Sequence, residues 1–217
     1  MKRTRRRNGA MMQYTIDLHK ISLAEYQELL KRQTLLPSRR LLLDAIDERL
    51  SQIASQGIDT VARLLDVLSS PAKIAAFAAQ CAVPVPYLTV LKREAGAMKQ
   101  KPVPLSAFPD TDKAEIEAME QQGVRTSKDC WERRPSDGRL YALCDLVRVN
   151  GIGPSAAAMF FAAGYRSAAE IAGAQASALL ARVTAVNADH RYYAGTLGQK
   201  DMQFCIDFAK LLIQLES

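Results

Sequence analysis

DLVRVNGIGPSAAAMFFAAGYRSAAEI, residues Asp145 to Ile171, is the most informative stretch of this 217-residue chain. An apolar segment, Leu146 to Val149, runs into Gly151-Ile152-Gly153-Pro154. A small-residue helical run then extends to Gly164, and Ser167 opens the next helix. The pattern predicts helices joined by a glycine hairpin. Gly151 and Gly153 permit positive φ or close backbone approach, Ile152 can plug between helices, and Pro154 suits a first helical turn. Such a turn can hold a phosphate on backbone N–H groups and a helix N-terminus, or can serve only to let helices pack closely. Asn150 to Tyr165 carries no charge, and only Arg148 and Arg166 flank the hairpin, whereas phosphate binding usually recruits more cations.

The Gly164 junction has counterparts. Gly57-Ile58-Asp59-Thr60, Gly123-Val124-Arg125-Thr126 and Gly164-Tyr165-Arg166-Ser167 share one template: glycine, apolar residue, charged residue, then a hydroxyl suited to capping a helix. Thr126 with Asp129, and Ser167 with Glu170, add capping-box spacing. Upstream, Phe108 to Asp112 lies in register with Val149 to Gly153. The chain therefore reads as a helical hairpin used at least twice, with a third copy at Gly57. The middle copy is acidic, since Asp110, Asp112, Glu115, Glu117 and Glu120 outweigh Lys113, so it is expected to be scaffold and not to bind phosphate.

Composition narrows the classes. The net charge of +6 comes mostly from Lys2, Arg3, Arg5, Arg6 and Arg7, leaving 24 basic residues against 23 acidic ones in the remainder. This basic tail, residues 1–13, is expected to be disordered and able to bind polyanions without specificity, or to precede a start at Met11 or Met12. No apolar run reaches the length of a membrane span and no secretory signal is visible, which leads to the expectation of a cytoplasmic protein without a membrane partner. Cys81, Cys130, Cys144 and Cys205 show no paired spacing and read as buried thiols.

The expected fold class is all-α, with tandem helix-hairpin-helix-like repeats in two packed helical subdomains. The N-terminal subdomain spans 14–95, a Pro-containing linker 96–107, and the C-terminal subdomain 108–217. Ser22 and Glu25 predict a capped helix of about ten residues, and a longer helix is expected from Ser38 to Ser55. Further helices are expected at Ala72 to Gln80, Pro86 to Ala95, Ala174 to Val186 and Asp201 to Leu215. Between the last two, Asn187 to Lys200 mixes basic and aromatic residues. Tyr192 and Tyr193 either stack on bases beside Arg191 and Lys200 or pack under the terminal helix, and packing is the favoured expectation.

The GxGP hairpin resembles the helix-hairpin-helix motif, which implies phosphate contact through Gly151, Ile152 and Gly153 without sequence readout. From about Tyr14 onward the chain also resembles an uncharacterised bacterial family of domains of unknown function (DUF4332-like) with such repeats. That likeness rests on Leu35 to Arg39, Tyr87 to Glu94, Lys101 to Leu105, Asp145 to Val149 and Gly198 to Asp201. It implies an all-helical fold and no known activity.

DNA glycosylases also carry a GxG hairpin, but they add a nearby lysine and a catalytic aspartate. Here Gly153 to Arg182 has Glu170 as its sole acid and no lysine. His19 and His190 are isolated and no Ser-His or Cys-His pairing has a sequence signature, so no catalytic residue, metal, cofactor or small-molecule substrate is expected. The expectation is a non-enzymatic module binding DNA or another nucleic acid through Gly151, Ile152, Gly153, Arg148, Arg166, Arg191 and Lys200. The competing reading is a scaffold for a protein partner.

Overall fold

A computed structural model of the chain describes residues 13–33, 35, 37–133 and 138–216. The basic tail, apart from Gln13, and the centre of the Arg133 to Arg139 break lie outside these residues. Helices make up 68% of the described residues and no strand forms among them, so the fold is all-α. Abundant alanine and leucine, with no alternating β-branched runs, favour this outcome.

The chain divides into two compact units, Asp17–Lys99 and a second built from Met1–Ile16 with Gln100–Ser217. The division falls inside the expected linker, but that segment is not structureless. Helix α5 reaches Ala97, and Val103 to Leu105 runs antiparallel to Arg125 to Ser127, through Leu105 N–H to Arg125 O (3.0 Å) and Ser127 N–H to Val103 O (2.7 Å). Prolines at 102 and 104 therefore mark an extended segment paired to a helix entrance, not a tether.

The Asp17–Lys99 unit contains a short 3-10 turn at Leu18–Lys20, then α1 (Leu23–Arg32), a 3-10 segment (Pro37–Leu43), α2 (Ile46–Ala54), α3 (Val61–Val67), α4 (Pro71–Cys81) and α5 (Val85–Ala97). Ser22 and Glu25 form the expected capping box on α1. The helix expected from Ser38 to Ser55 is broken. Ala45 takes φ 48°, the left-handed region, and the Leu42 carbonyl accepts from Tyr87 Oη (3.1 Å) and not from a continuing helix. Leu30, Leu42, Leu50, Ile53, Leu64, Tyr87, Leu88 and Leu91 fill the core.

The second unit holds α6 (Lys113–Gln121), α7 (Ser127–Arg133), α8 (Arg139–Leu146), α9 (Pro154–Ala162), α10 (Ala168–Ala172), α11 (Ala176–His190) and α12 (Gln199–Glu216). Its core includes Leu105, Val124, Cys130, Leu143, Cys144, Phe160, Ile171 and Val183. All four cysteines are buried and free.

The glycine junctions share a local backbone. Gly57, Gly123 and Gly164 have φ of 79°, 78° and 93°, a region that favours glycine, and each is followed by a hydroxyl that caps the next helix. Thr60 accepts from Arg63 N–H, Thr126 from Asp129 N–H and Ser167 from Glu170 N–H. In the second and third, the apolar residue after the glycine closes the turn with an equivalent bond, Val124 N–H to Met119 O and Tyr165 N–H to Phe160 O, both 3.0 Å. The first residue of each following helix finds a further acceptor. Val61 N–H donates to Ile21 O and Ser127 N–H to Val103 O, but Ala168 N–H donates to the Asp145 carboxylate (2.8 Å). In the third junction a buried side chain replaces a backbone carbonyl.

Candidate functional site: the cleft at the start of α9

The turn ahead of α9 is built from the residues that the sequence singled out, but they play unlike parts. Gly151 has φ 92°, and a Cβ there would lie 3.2 Å from Phe204 Cε1 and 3.3 Å from Cys205 Sγ of α12. It is the position where glycine is required, for conformation and for close approach. Ile152 is buried as the plug between helices. Gly153 has φ −84° and ψ 178°, ordinary extended backbone, with no atom within 4 Å of a Cβ built on it. It caps α9 without a side chain, so the first-turn N–H groups of Ser155 and Ala156 face an open approach.

Arg148 does not belong to this surface. It is 2% exposed, and its guanidinium is spent inside the unit. Nε donates to Tyr14 O (2.9 Å), Nη1 to Asp145 Oδ1 (2.5 Å) and Nη2 to Gln13 O (3.4 Å), with Glu216 as a further ion partner. The group also lies 4.1 Å from the Trp131 ring centroid. Asp145 is equally committed, accepting from Trp131 Nε1 (2.8 Å), Arg148 and Ala168 N–H. Burial lowers the Arg148 pKa from its ordinary value, opposed by the Asp145 charge. The expectation that Arg148 contacts a phosphate is thus corrected: its job is to hold the first described residues of the chain to this unit. Tyr14 completes the attachment, bonded to Ser127 Oγ (2.6 Å) and edge-on to Trp131.

Arg166 is exposed, but its guanidinium lies 5.2 Å from the Phe161 ring centroid, and Arg139 sits 5.7 Å from the same ring. Phe161 is near the C-terminal end of α9, away from the open first turn. Arg166 therefore does not converge with the hairpin. Arg191 lies in the cleft beside it, and Lys200 is placed only through its helix. Arg191, with φ 53°, ends α11 and lines an open cleft of about 320 Å³ with Pro109, Asp110, Ser155, His190 and Tyr192. Lys200 is exposed one helical turn before Phe204, the residue against Gly151, and so shares its face of α12. Neither cation has an ion pair among the described residues.

The cleft also contains an acid that sequence reading assigned only to scaffold. Asp110 takes φ 54° in the turn ahead of α6, the place that Gly151 holds ahead of α9. Its carboxylate accepts from Tyr192 Oη (3.0 Å) and lies 3.9 Å from Arg139 Nη2. Burial and the bond to Asp110 push the Tyr192 phenol above its ordinary pKa. His190 stacks on Tyr192 with centroids 5.5 Å apart. Tyr192 and Tyr193 thus depart from the expected packing under the terminal helix: the first turns to Asp110 and the second is 46% exposed. Among the described residues no group of histidine, cysteine and carboxylate side chains is arranged to hold a metal, and no single helix is long and apolar enough to cross a membrane.

Fold and site together define an all-helical protein with a polar cleft at an open helix N-terminus, lined by one cation, Arg191, that has no ion pair among the described residues. Residues 138–212, from α8 into α12, match the family model described as a domain of unknown function, DUF4332. No curated protein and no solved structure matches the chain.

Proposed function

We propose that the protein is a non-enzymatic module of helix-hairpin-helix type that binds nucleic acid, DNA in the first instance, through its phosphates and without reading sequence. The observation that carries this reading is the uncapped first turn of α9 at Gly153, open to solvent, with exposed Arg191 in the adjoining cleft and exposed Lys200 one helical turn before Phe204, the residue against Gly151. Backbone N–H groups and a positive helix end favour an anion there, and two unpaired cations add to the attraction. The recurrent glycine-hydroxyl junctions support a reading of the chain as tandem repeats of one helical hairpin. In that reading the Gly151 copy binds, and the Asp110 copy, with an acid where glycine would stand, is scaffold.

A second reading has its own support. Asp110 faces the cleft and would repel phosphate, and Arg148 is unavailable, which favours a scaffold whose cleft receives a protein partner.

The test uses Gly153→Ser, Arg191→Ala and Lys200→Ala in the full-length chain, with duplex DNA affinity measured at low salt. Serine at an extended N-cap satisfies the helix N–H groups itself, so Gly153→Ser should hold or raise the melting temperature while weakening binding. Each lost cation contact should also flatten the log–log salt dependence by up to about 0.9. Deleting Met1 to Ala10 measures the share due to the tail. Duplex affinity untouched by all three substitutions removes the cleft from the nucleic-acid reading and leaves the scaffold.

A further inference from the structure

The loop after α11 is a fixed platform. The Asn187 side chain clamps Tyr193 from both sides, its Nδ2 donating to Tyr193 O and its Oδ1 accepting from Tyr193 N–H, both 2.8 Å. Gly195 lies so close to the ring that a Cβ there would sit 2.6 Å from Tyr193 Cε1 and 2.9 Å from Cζ and Oη. The loop's far end is held by Gly198 N–H on Asp201 Oδ2 (2.8 Å). These contacts fix the backbone of Tyr193 and set Gly195 against its ring, and the residue is 46% exposed. Tyr192 beside it is already engaged by His190 and Asp110, which leaves Tyr193 as the aromatic with open surface.

We infer that Tyr193 is a stacking platform for an unpaired nucleobase, so that the favoured ligand is single-stranded nucleic acid or a duplex with unpaired nucleotides. This rests on the nucleic-acid reading of the cleft. Arg191 is two residues from Tyr193, at most about 7 Å along the chain, so a phosphate at Arg191 and the base of an adjoining nucleotide at Tyr193 can be held together. Paired bases in a duplex are buried in their own stack and cannot use the ring. An unpaired base can, whatever its identity, because every base has a π face. A loop backbone fixed in advance lowers the entropy lost on binding.

The experiment compares the full-length protein with Tyr193→Ala and Tyr193→Phe on three labelled probes of equal length: an oligothymidine strand, an abasic strand of the same charge, and a blunt duplex. Tyr193→Ala should weaken binding to oligothymidine by roughly 5- to 100-fold, with duplex and abasic affinities held within about twofold. Tyr193→Phe should keep the wild-type preference, since the stacking face is unchanged. Wild type should prefer oligothymidine to the abasic strand by the same factor that the alanine variant loses, a comparison that needs no variant to fold. Equal loss on all probes, or no preference of wild type for bases over abasic sugar, overturns the platform while leaving phosphate binding intact. Wild type binding none of the three probes overturns the cleft reading and the platform with it.

Discussion

Arg148 illustrates how one residue type supports opposite readings. Beside a GxGP hairpin an arginine suggests a phosphate partner, yet its guanidinium is enclosed by Asp145, Glu216, Trp131 and the carbonyls of Gln13 and Tyr14. Removing it leaves the Asp145 carboxylate buried beside Trp131 without its cation. Arg148→Ala should therefore destabilise the protein by about 3–5 kcal/mol in urea denaturation. Nucleic-acid affinity measured well below the transition should be unchanged. A stable variant with weakened DNA binding would return Arg148 to the surface role expected from sequence. Gly151 and Gly153 differ for an equally local reason, since only Gly151 combines positive φ with the Phe204 ring at contact distance.

At the scale of the element, caps decide where helices start. The Glu25 carboxylate accepts from Ser22 N–H and Ser22 Oγ, both 2.8 Å, and the backbone bond followed by the hydroxyl bond lowers its pKa. A depressed carboxylate stabilises the folded form above its unfolded value, near 4.3, and that contribution is lost as pH falls through the lower folded value. The first turn of α1 should accordingly fray on acidification. The protection of the Glu25 amide against exchange, relative to its intrinsic rate at each pH, should fall below about pH 4 in the wild type. In Glu25→Gln the same amide should exchange at a rate free of this acid step, and an acid step that persists there would assign it to another carboxylate. Helix α10, only Ala168–Ala172, depends on caps still more, with Ser167 on Glu170 N–H and Asp145 on Ala168 N–H.

For the whole molecule, buried tyrosines set an alkaline limit in both units. Burial pushes Tyr14 up to about 12, with a smaller lowering by its Ser127 bond, and pushes Tyr87 up to about 12. A raised folded pKa means that stability is fully present below the unfolded value near 10 and is lost as pH rises toward 12. Urea midpoints should hold steady up to about pH 10 and then decline. Tyr14→Phe and Tyr87→Phe should each make that decline shallower, and a decline unaffected by both would implicate other groups.

The amino-acid sequence alone determined what local chemistry controls. Helical class, the capping box at Ser22, the positive-φ glycines at 57, 123 and 164, and the buried thiols all follow from periodicity and from the few residues that tolerate a given backbone. Tertiary structure alone decided where long side chains go. The sequence around Arg148 is the same whether its guanidinium faces solvent or Trp131, and the choice was made by Gln13, Tyr14 and Glu216, far away along the chain. The same holds for the break at Ala45, beside which Leu42 O accepts from the buried Tyr87 hydroxyl, and for the cleft that gathers Asp110, Ser155 and Arg191 from three distant segments. Backbone preferences act over a few residues and are legible locally, whereas burial of charge depends on partners that only the folded chain brings together.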